Sequence, residues 1–350
     1  MRPARARGYT SGSWRDVEVR SFAATLQAGI KRTPEQSSDV LHGGLASERL
    51  GRVVLVALVA LVAASCGTHS RPPSGAGAAG TLGSLLKRPG EDVTVVAGDT
   101  DFAPGDVRYS FLVIKHDARP VERGRARVWL ARSQFGRPFE SATARLETIG
   151  PPGAGESAFG GIGRIYVVQL RIHRPGRYWL VAEPVGAKIQ ALGTLDVKAR
   201  SDSAAVGAKA PDSATPTLAS AHGAVSELTT RVPPDRALLR YSIASSLAAH
   251  KPFVVTFATP RFCTSRTCGP VVDVVDYVRR RFAASDVRFI HVEVFKDNRP
   301  ALGYNRWMRQ WGLQSEPWTF LVGRDGRIEA KFEGAMSAGE LEAAIRRLLK

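Results

Sequence analysis

Cys263 and Cys268 stand where one periodicity gives way to another. Before them, Phe253–Thr259 (FVVTFAT) is a continuous apolar, β-branched run of strand length. After them, Val271, Val274, Val275, Val278 and Phe282 recur at the helical i, i+3, i+4, i+7 spacing and one turn further on. Strand, short thiol-bearing loop, then helix is a way of holding sulfur at the exposed end of a parallel sheet. Pro270 fits the first helical position, where its missing N–H leaves no bond unmade. Gly269 is then expected near the N-cap, Cys268 just outside it and Cys263 in the loop before. A helix N-terminus favours negative charge, and the thiolate is the reactive form of cysteine. The stretch predicts a dithiol/disulfide site, with Arg266 between the cysteines as electrostatic support.

Downstream, the pattern alternates. Val287–Phe295 reads as a second apolar strand, and residues 301–312, with Trp307, Met308 and Trp311, as a helix. Trp318–Val322 and Ile328–Phe332 flank Asp325-Gly326, a hairpin signal. Ser337 and Glu340 have capping-box spacing. They open a final helix whose Leu341, Ala344, Ile345, Leu348 and Leu349 share one face. A short helix over Tyr241–Ala249 precedes the first strand. This order, with Pro317 in Ser315-Glu316-Pro317-Trp318-Thr319-Phe320, resembles the thioredoxin fold, over about the last third of the chain. The resemblance implies a cis Glu316–Pro317 bond beside the cysteines, with Glu316 and Pro317 helping to hold a partner's backbone.

Two departures from that family matter. The usual C-x-x-C is here C-x-x-x-x-C. Residues five apart on a helix point about 140° apart, so the loop must fold back to bring the Cβ atoms within about 3.5–4.5 Å. The buried acid of thioredoxins would fall near Thr256, which cannot take a proton in its place. Three functions are weighed. The first is thiol–disulfide exchange, with Cys263 as nucleophile and Cys268 as resolver, or the roles reversed. The second is a non-catalytic binding or sensing module with a structural disulfide. The third is copper handling in the manner of Sco-type proteins, in which His291 would join the thiolates. Exchange needs no resident cofactor or metal, and its partners would be protein thiols or disulfides outside the cytoplasm.

The third cysteine points to location. Arg49 and Arg52 precede the apolar run Val53–Ala64, which ends in Ala63-Ala64-Ser65-Cys66-Gly67. Basic flank, short apolar core and small residues describe a signal peptide, and the run is shorter than the roughly 20 residues of a spanning helix. A cysteine after small residues resembles the lipobox of bacterial lipoproteins, which implies lipidation of Cys66 and anchoring on the outer face of the cytoplasmic membrane. Residues 1–65 are thus expected to be a leader with the signal peptide at about 49–65. Because residues 1–48 suit no signal peptide, translation is expected to start later, near Val40, Leu41 or Leu45. Residues 66–90 read as a flexible tether. With Cys66 occupied, the remaining pair suits an oxidising compartment.

Between tether and thiols lies a region of another kind. Within 91–198, Val107–Ile114, Arg127–Ala131, Arg164–Ile172, Arg177–Ala182 and Ile189–Val197 are short strand-like runs punctuated by Pro and Gly. They predict an antiparallel β-sandwich of immunoglobulin-like type without a disulfide. Residues 199–232, rich in Ser, Ala, Pro and Asp, read as a linker to a thioredoxin-like domain over 233–350. The fold class expected is therefore two domains, all-β followed by α/β. The formal net charge of +17 comes from Arg spread among Asp and Glu, without a basic helix or zinc-finger spacing, so nucleic acid is not an expected partner.

Overall fold

The computed structural model describes residues 80–86, 90–91, 93–153, 163–186 and 190–350. The expected leader, Cys66 and residues 66–79 of the expected tether lie outside the described residues. Residues 82–86 of that tether are not a flexible link but a short helix, because Leu82 and Leu85 bury themselves against the folded part. Within the described residues, no helix is long and apolar enough to cross a membrane. The described residues fall within one compact unit.

The first part is built from seven strands: β1 (Val93–Ala97), β2 (Gly105–Lys115), β3 (Arg125–Ala131), β4 (Glu140–Thr148), β5 (Arg164–Ile172), β6 (Gly176–Pro184) and β7 (Ala191–Val197). Alternation decides which side chains face inward. Val107, Tyr109, Phe111 and Val113 of β2 meet Tyr166, Val168, Leu170 and Ile172 of β5 and Tyr178, Leu180 and Ala182 of β6 in one core. The inner Tyr166 satisfies its hydroxyl on the backbone, donating to Val121 O (3.0 Å) and accepting from Arg123 N (2.8 Å). A short helix, α1 (Leu82–Leu86), seats Leu82 and Leu85 against Ala131 and Val181 on the outside.

The expected sandwich of two separate sheets is corrected in one respect. Hydrogen bonds run right round the ring in the order β1-β2-β5-β4-β3-β6-β7, and a parallel pair at Thr94 and Leu192 closes it. The strand β4 pairs with both β3 and β5, which leaves no long row of unpaired backbone groups at a sheet edge.

The second part has a four-stranded sheet, ordered β11-β10-β8-β9, made of β8 (Phe253–Phe257), β9 (Arg288–Val292), β10 (Trp318–Val322) and β11 (Ile328–Glu333). The strands β8 and β9 are parallel, and β10 runs antiparallel to β8 and β11. Packed against the sheet are the helices α2 (Ile243–Ala248), α3 (Cys268–Arg281), α4 (Arg306–Gln310) and α5 (Ala338–Leu348), and a single turn of helix at Val225–Leu228 precedes them. Val271, Val274, Val275 and Val278 of α3 pack with Leu341, Ala344 and Ile345 of α5 over one face of the sheet. Phe253, Val255, Phe257 and Phe320 cover the other with Trp311 and Ile243. This strand order and these directions are the ones expected of a thioredoxin-like fold. The Ser337–Glu340 capping box forms, with both bonds at 3.1 Å. The helix expected over 301–312 shrinks to α4, because Gly303 turns the chain at φ +69° and Asn305 caps a new start, accepting from Trp307 N and Met308 N.

Residues 199–232, expected as a linker, are laid down along the sheet instead. Ile328 N donates to Ala208 O (2.9 Å), and Gly207 N and Ala210 N donate to Ile328 O and Gly326 O. Ser213 is fully buried and accepts from the Trp311 indole (3.1 Å). Small and hydroxylated residues look like linker composition, yet they also let a backbone lie flat and satisfy buried donors.

The two parts share a polar seam. Arg108 of β2 forks its guanidinium onto Glu340 of α5 (2.8 and 3.1 Å), and donates to Asp99 (3.1 Å) and Ala335 O (2.8 Å). Glu333 of β11 accepts from Thr100 N (2.7 Å), Thr100 Oγ1 (2.7 Å), Asp101 N (2.8 Å) and Ser315 Oγ (2.8 Å). Asp101 accepts from Ser201 Oγ, Asp202 N, Ser203 N and Ser203 Oγ. Burial acts to raise its carboxyl, but those hydrogen bonds prevail and hold it well below the usual carboxylate range. At Gly334, with φ +67°, a Cβ would stand 2.6 Å from Gly98 O, so only glycine allows this approach.

Candidate functional site

The thiols sit at the carboxyl end of β8, where a parallel strand hands the chain to a helix. The loop from Thr259 to Thr267 folds back on itself. Phe262 N bonds Thr259 O, Arg266 N bonds Cys263 O, and Arg266 turns the chain at φ +58°. That turn brings Cys263 and Cys268 together despite the four residues between them. Cys268 N donates to Cys263 Sγ at 3.3 Å, and both cysteines are free thiols.

The helix starts earlier than the sequence suggests. Cys268 is its first residue, Thr267 its N-cap, and Pro270 its third residue rather than its first. Any of the first four helical N–H groups lacks an intrahelical acceptor, so proline is accommodated there as well. The shift places the Cys268 sulfur inside, fully buried among Ala258, Val271 and their neighbours, while Cys263 remains half-exposed beside exposed Thr264 and Ser265.

Electrostatics separates the pair further. Cys263 is pulled down to about 6, first by a hydrogen bond from the Cys268 thiol, against the opposing effect of burial. The Ser265 hydroxyl, 3.2 Å away, and the Cys268 and Thr267 backbone N–H groups add to it. Ser265 is itself fixed by Thr267 Oγ1 at 2.7 Å. Hydrogen-bond donors, rather than the Arg266 charge expected from the sequence, are the main contributors. Cys268 moves the opposite way. Burial pushes its thiol far up, and the hydrogen bond and charge of Cys263 push in the same direction.

Around the pair, the Glu316–Pro317 bond is cis. Trp318, the next residue, pairs with Phe257, which sets Pro317 beside the end of β8. Glu316 accepts from the Tyr304 hydroxyl (2.6 Å). Tyr304 stacks on Phe295, and Phe295 meets Phe262, the neighbour of Cys263. Thr256 lies fully buried and bonds Thr319 Oγ1 at 3.0 Å, so two hydroxyls satisfy each other and supply no base. A groove of about 580 Å³ opens beside the loop, walled by Thr230, Arg231, Pro233, Pro260, Arg261 and Gly269.

His291 is not poised as a ligand. Its Nε2 faces Ala258 O (3.0 Å) and its Nδ1 faces Thr229 Oγ1 (3.3 Å), and burial pushes its pKa down. Among the described residues no group of three or more His, Cys, Asp or Glu side chains could hold a metal ion. Cys66 lies outside the described residues. Sequence reasoning missed Tyr304, Ser265 and a second cis bond, Val232–Pro233, on the wall of the groove. None of these belongs to a motif, and a tyrosine twelve residues from its carboxylate carries no local signal.

The sequence matches no protein-family model and no curated protein. Similar solved structures include a thioredoxin-family thiol:disulfide interchange protein from Chlorobium tepidum TLS (18% identity, 30% of this chain and 86% of that one, TM-score 0.25). MTB dsbF, solved in mixed oxidised and reduced forms, is 22% identical over 28% of this chain and 81% of its own, with a TM-score of 0.23. The Lin-41 filamin domain is 11% identical over 32% of this chain and 97% of its own, at 0.18. Likenesses this slight say nothing of activity, which has to be argued from the thiols.

Proposed function

We propose that this chain is a thiol–disulfide oxidoreductase acting on protein thiols or disulfides outside the cytoplasm. The observation that carries it is the asymmetry of the pair. One half-exposed sulfur is stabilised as thiolate near neutral pH, and it touches a fully buried, protonated one. Cys263 is then the attacking thiolate and Cys268 the resolving thiol. Attack on a partner disulfide forms a mixed disulfide at Cys263, and Cys268 closes the internal bond and releases the partner reduced. A low thiolate pKa next to hydrogen-bond donors suits the first step. Glu316 and Pro317 flank the sulfur as the backbone-holding edge for a partner segment, and Arg266 carries its charge on the loop between the two cysteines. The engaged ring of His291 speaks against copper handling.

Export and anchoring through lipidated Cys66 remain the reading of the leader sequence. Incorporation of labelled palmitate, lost in Cys66→Ala, tests it. For the exchange itself, the reduction potential of the Cys263/Cys268 couple is to be measured alongside reduction of insulin. Turnover abolished by Cys263→Ser supports exchange. A potential below about −300 mV with no turnover assigns a structural bond instead.

A further inference from the structure

We propose that Glu316, held in place by Tyr304, accepts the proton of Cys268 when that cysteine attacks the mixed disulfide at Cys263. The inference rests on the exchange reading above and names a group that reading leaves open.

A buried neutral thiol is a poor nucleophile, and its proton must leave to a base within the protein. Cys268 is fully enclosed among apolar side chains. Thr256 and Thr319 offer no basic atom and are bonded to each other. His291 is committed to Ala258 and Thr229. Glu293 gives one oxygen to Thr230 N and Oγ1 (2.6 and 2.7 Å) and keeps the other buried and unpartnered, where its charge acts on His291. Glu316 is differently placed. Continuing the Trp318–Phe257 register sets it opposite Thr259, whose backbone N–H bonds the sulfur of Cys268. Its charge acts on Cys268 directly and helps keep that thiol protonated at rest.

Tyr304 supplies the aim. Its hydroxyl donates to Glu316 Oε2 at 2.6 Å, and its ring is braced by Phe295, 5.5 Å between centroids. The titratable groups shown to act on or bond Glu316 are Tyr304 and Cys268, and Cys263 acts in turn on Tyr304. Once Cys263 is in the mixed disulfide it no longer carries a charge, and the Cys268 proton can move to the carboxylate. The Cys268 sulfur bonds the Cys263 sulfur, and the bond from Cys263 to the partner breaks. The partner sulfur leaves with the electron pair and takes up a proton, returned by Glu316 or by water. The protein pair is oxidised by two electrons and the partner disulfide is reduced. Tyr304 is a positioning residue in this scheme.

The test uses the full chain with Cys66→Ser, so that only the pair can react, and 5,5′-dithiobis(2-nitrobenzoate). Cys263 releases one thionitrobenzoate as it forms the mixed disulfide, and Cys268 releases the second as it closes the ring. In Glu316→Gln the second release, measured relative to the first, is expected to slow about a hundredfold. The second phase of the wild type, measured relative to its first, should fall as pH decreases, and the same ratio in Glu316→Gln should not. Glu316→Asp should recover part of the second rate, and Tyr304→Phe should slow the second phase less than Glu316→Gln does. A second phase in Glu316→Gln equal to wild type overturns the proton-acceptor role alone. A wild type that never releases the second equivalent overturns the exchange reading and this inference with it.

Discussion

The polar seam and the thiol loop are both dense in hydrogen bonds, yet they use them to opposite ends. In the seam, Arg108, Asp99, Glu333 and Glu340 are charged groups drawn out of water, each held by partners that satisfy it in the resting protein. In the loop, the donors around Cys263 surround a half-exposed atom and stabilise its charged form without enclosing it. The seam spends its bonds on position. The loop spends them on reactivity, and leaves the second sulfur deliberately unfavourable to ionise.

That contrast predicts mutants that separate stability from chemistry. The largest effect is expected from Cys263→Ser, which should cut disulfide reduction by at least about a thousandfold, the scale for loss of a nucleophile. Its urea midpoint should hold. Next comes Arg108→Ala, which strands Asp99 and Glu340 and should cost about 3–5 kcal/mol in urea unfolding, with the thiolate midpoint of Cys263 unmoved. Gly334→Ala must accept φ +67° and a clash with Gly98 O, and should cost more than about 1 kcal/mol. A seam variant that also shifted the thiolate midpoint would break the comparison.

A smaller effect is a dependence on acid. The Asp101 carboxyl is depressed in the folded protein, so its contribution is present above the ordinary value of about 4 and is lost as pH falls below it. Urea titrations down the pH scale should show stability dropping there, and Asp101→Asn should flatten that drop. Burial raises Asp99 to about 6, which has the reverse sign: its contribution is present at low pH and is lost as pH rises from about 4 through 6. The smallest effect belongs to Ser265→Ala. It removes one donor worth about 1 kcal/mol and should move the Cys263 midpoint, read by thiolate absorbance, upward toward the ordinary thiol value without changing stability.

Much of the thioredoxin-like frame was legible because its signals are local. The Val271–Val278 period, Asp325-Gly326, Ser337 with Glu340, and Pro317 each act within a few residues. The helix start was misplaced by two residues because proline is tolerated throughout a first turn. The seam was invisible, since a charge in a sequence does not reveal a partner more than 200 residues away. The stretch 199–232 misled for a related reason. Its worth lies in backbone bonds to β11 and in buried hydroxyls such as Ser213, not in apolar side chains. At the site, the two sulfurs and the proline stood out by type. Ser265, Thr259 and Tyr304 act through placement, which only the folded loop discloses.

The distance along the chain between Arg108 and Glu340 has a consequence for synthesis. They are 232 residues apart, so an elongating chain at about 5–20 residues per second makes the arginine on the order of ten to fifty seconds before its partner exists. Once Val197 completes the barrel, and until α5 appears, Arg108 belongs to a surface whose partner is still unmade. The last helix to emerge is the one that completes the seam. A chain cut short of Ser337 would therefore keep both cysteines and lose the contacts that close the body carrying them.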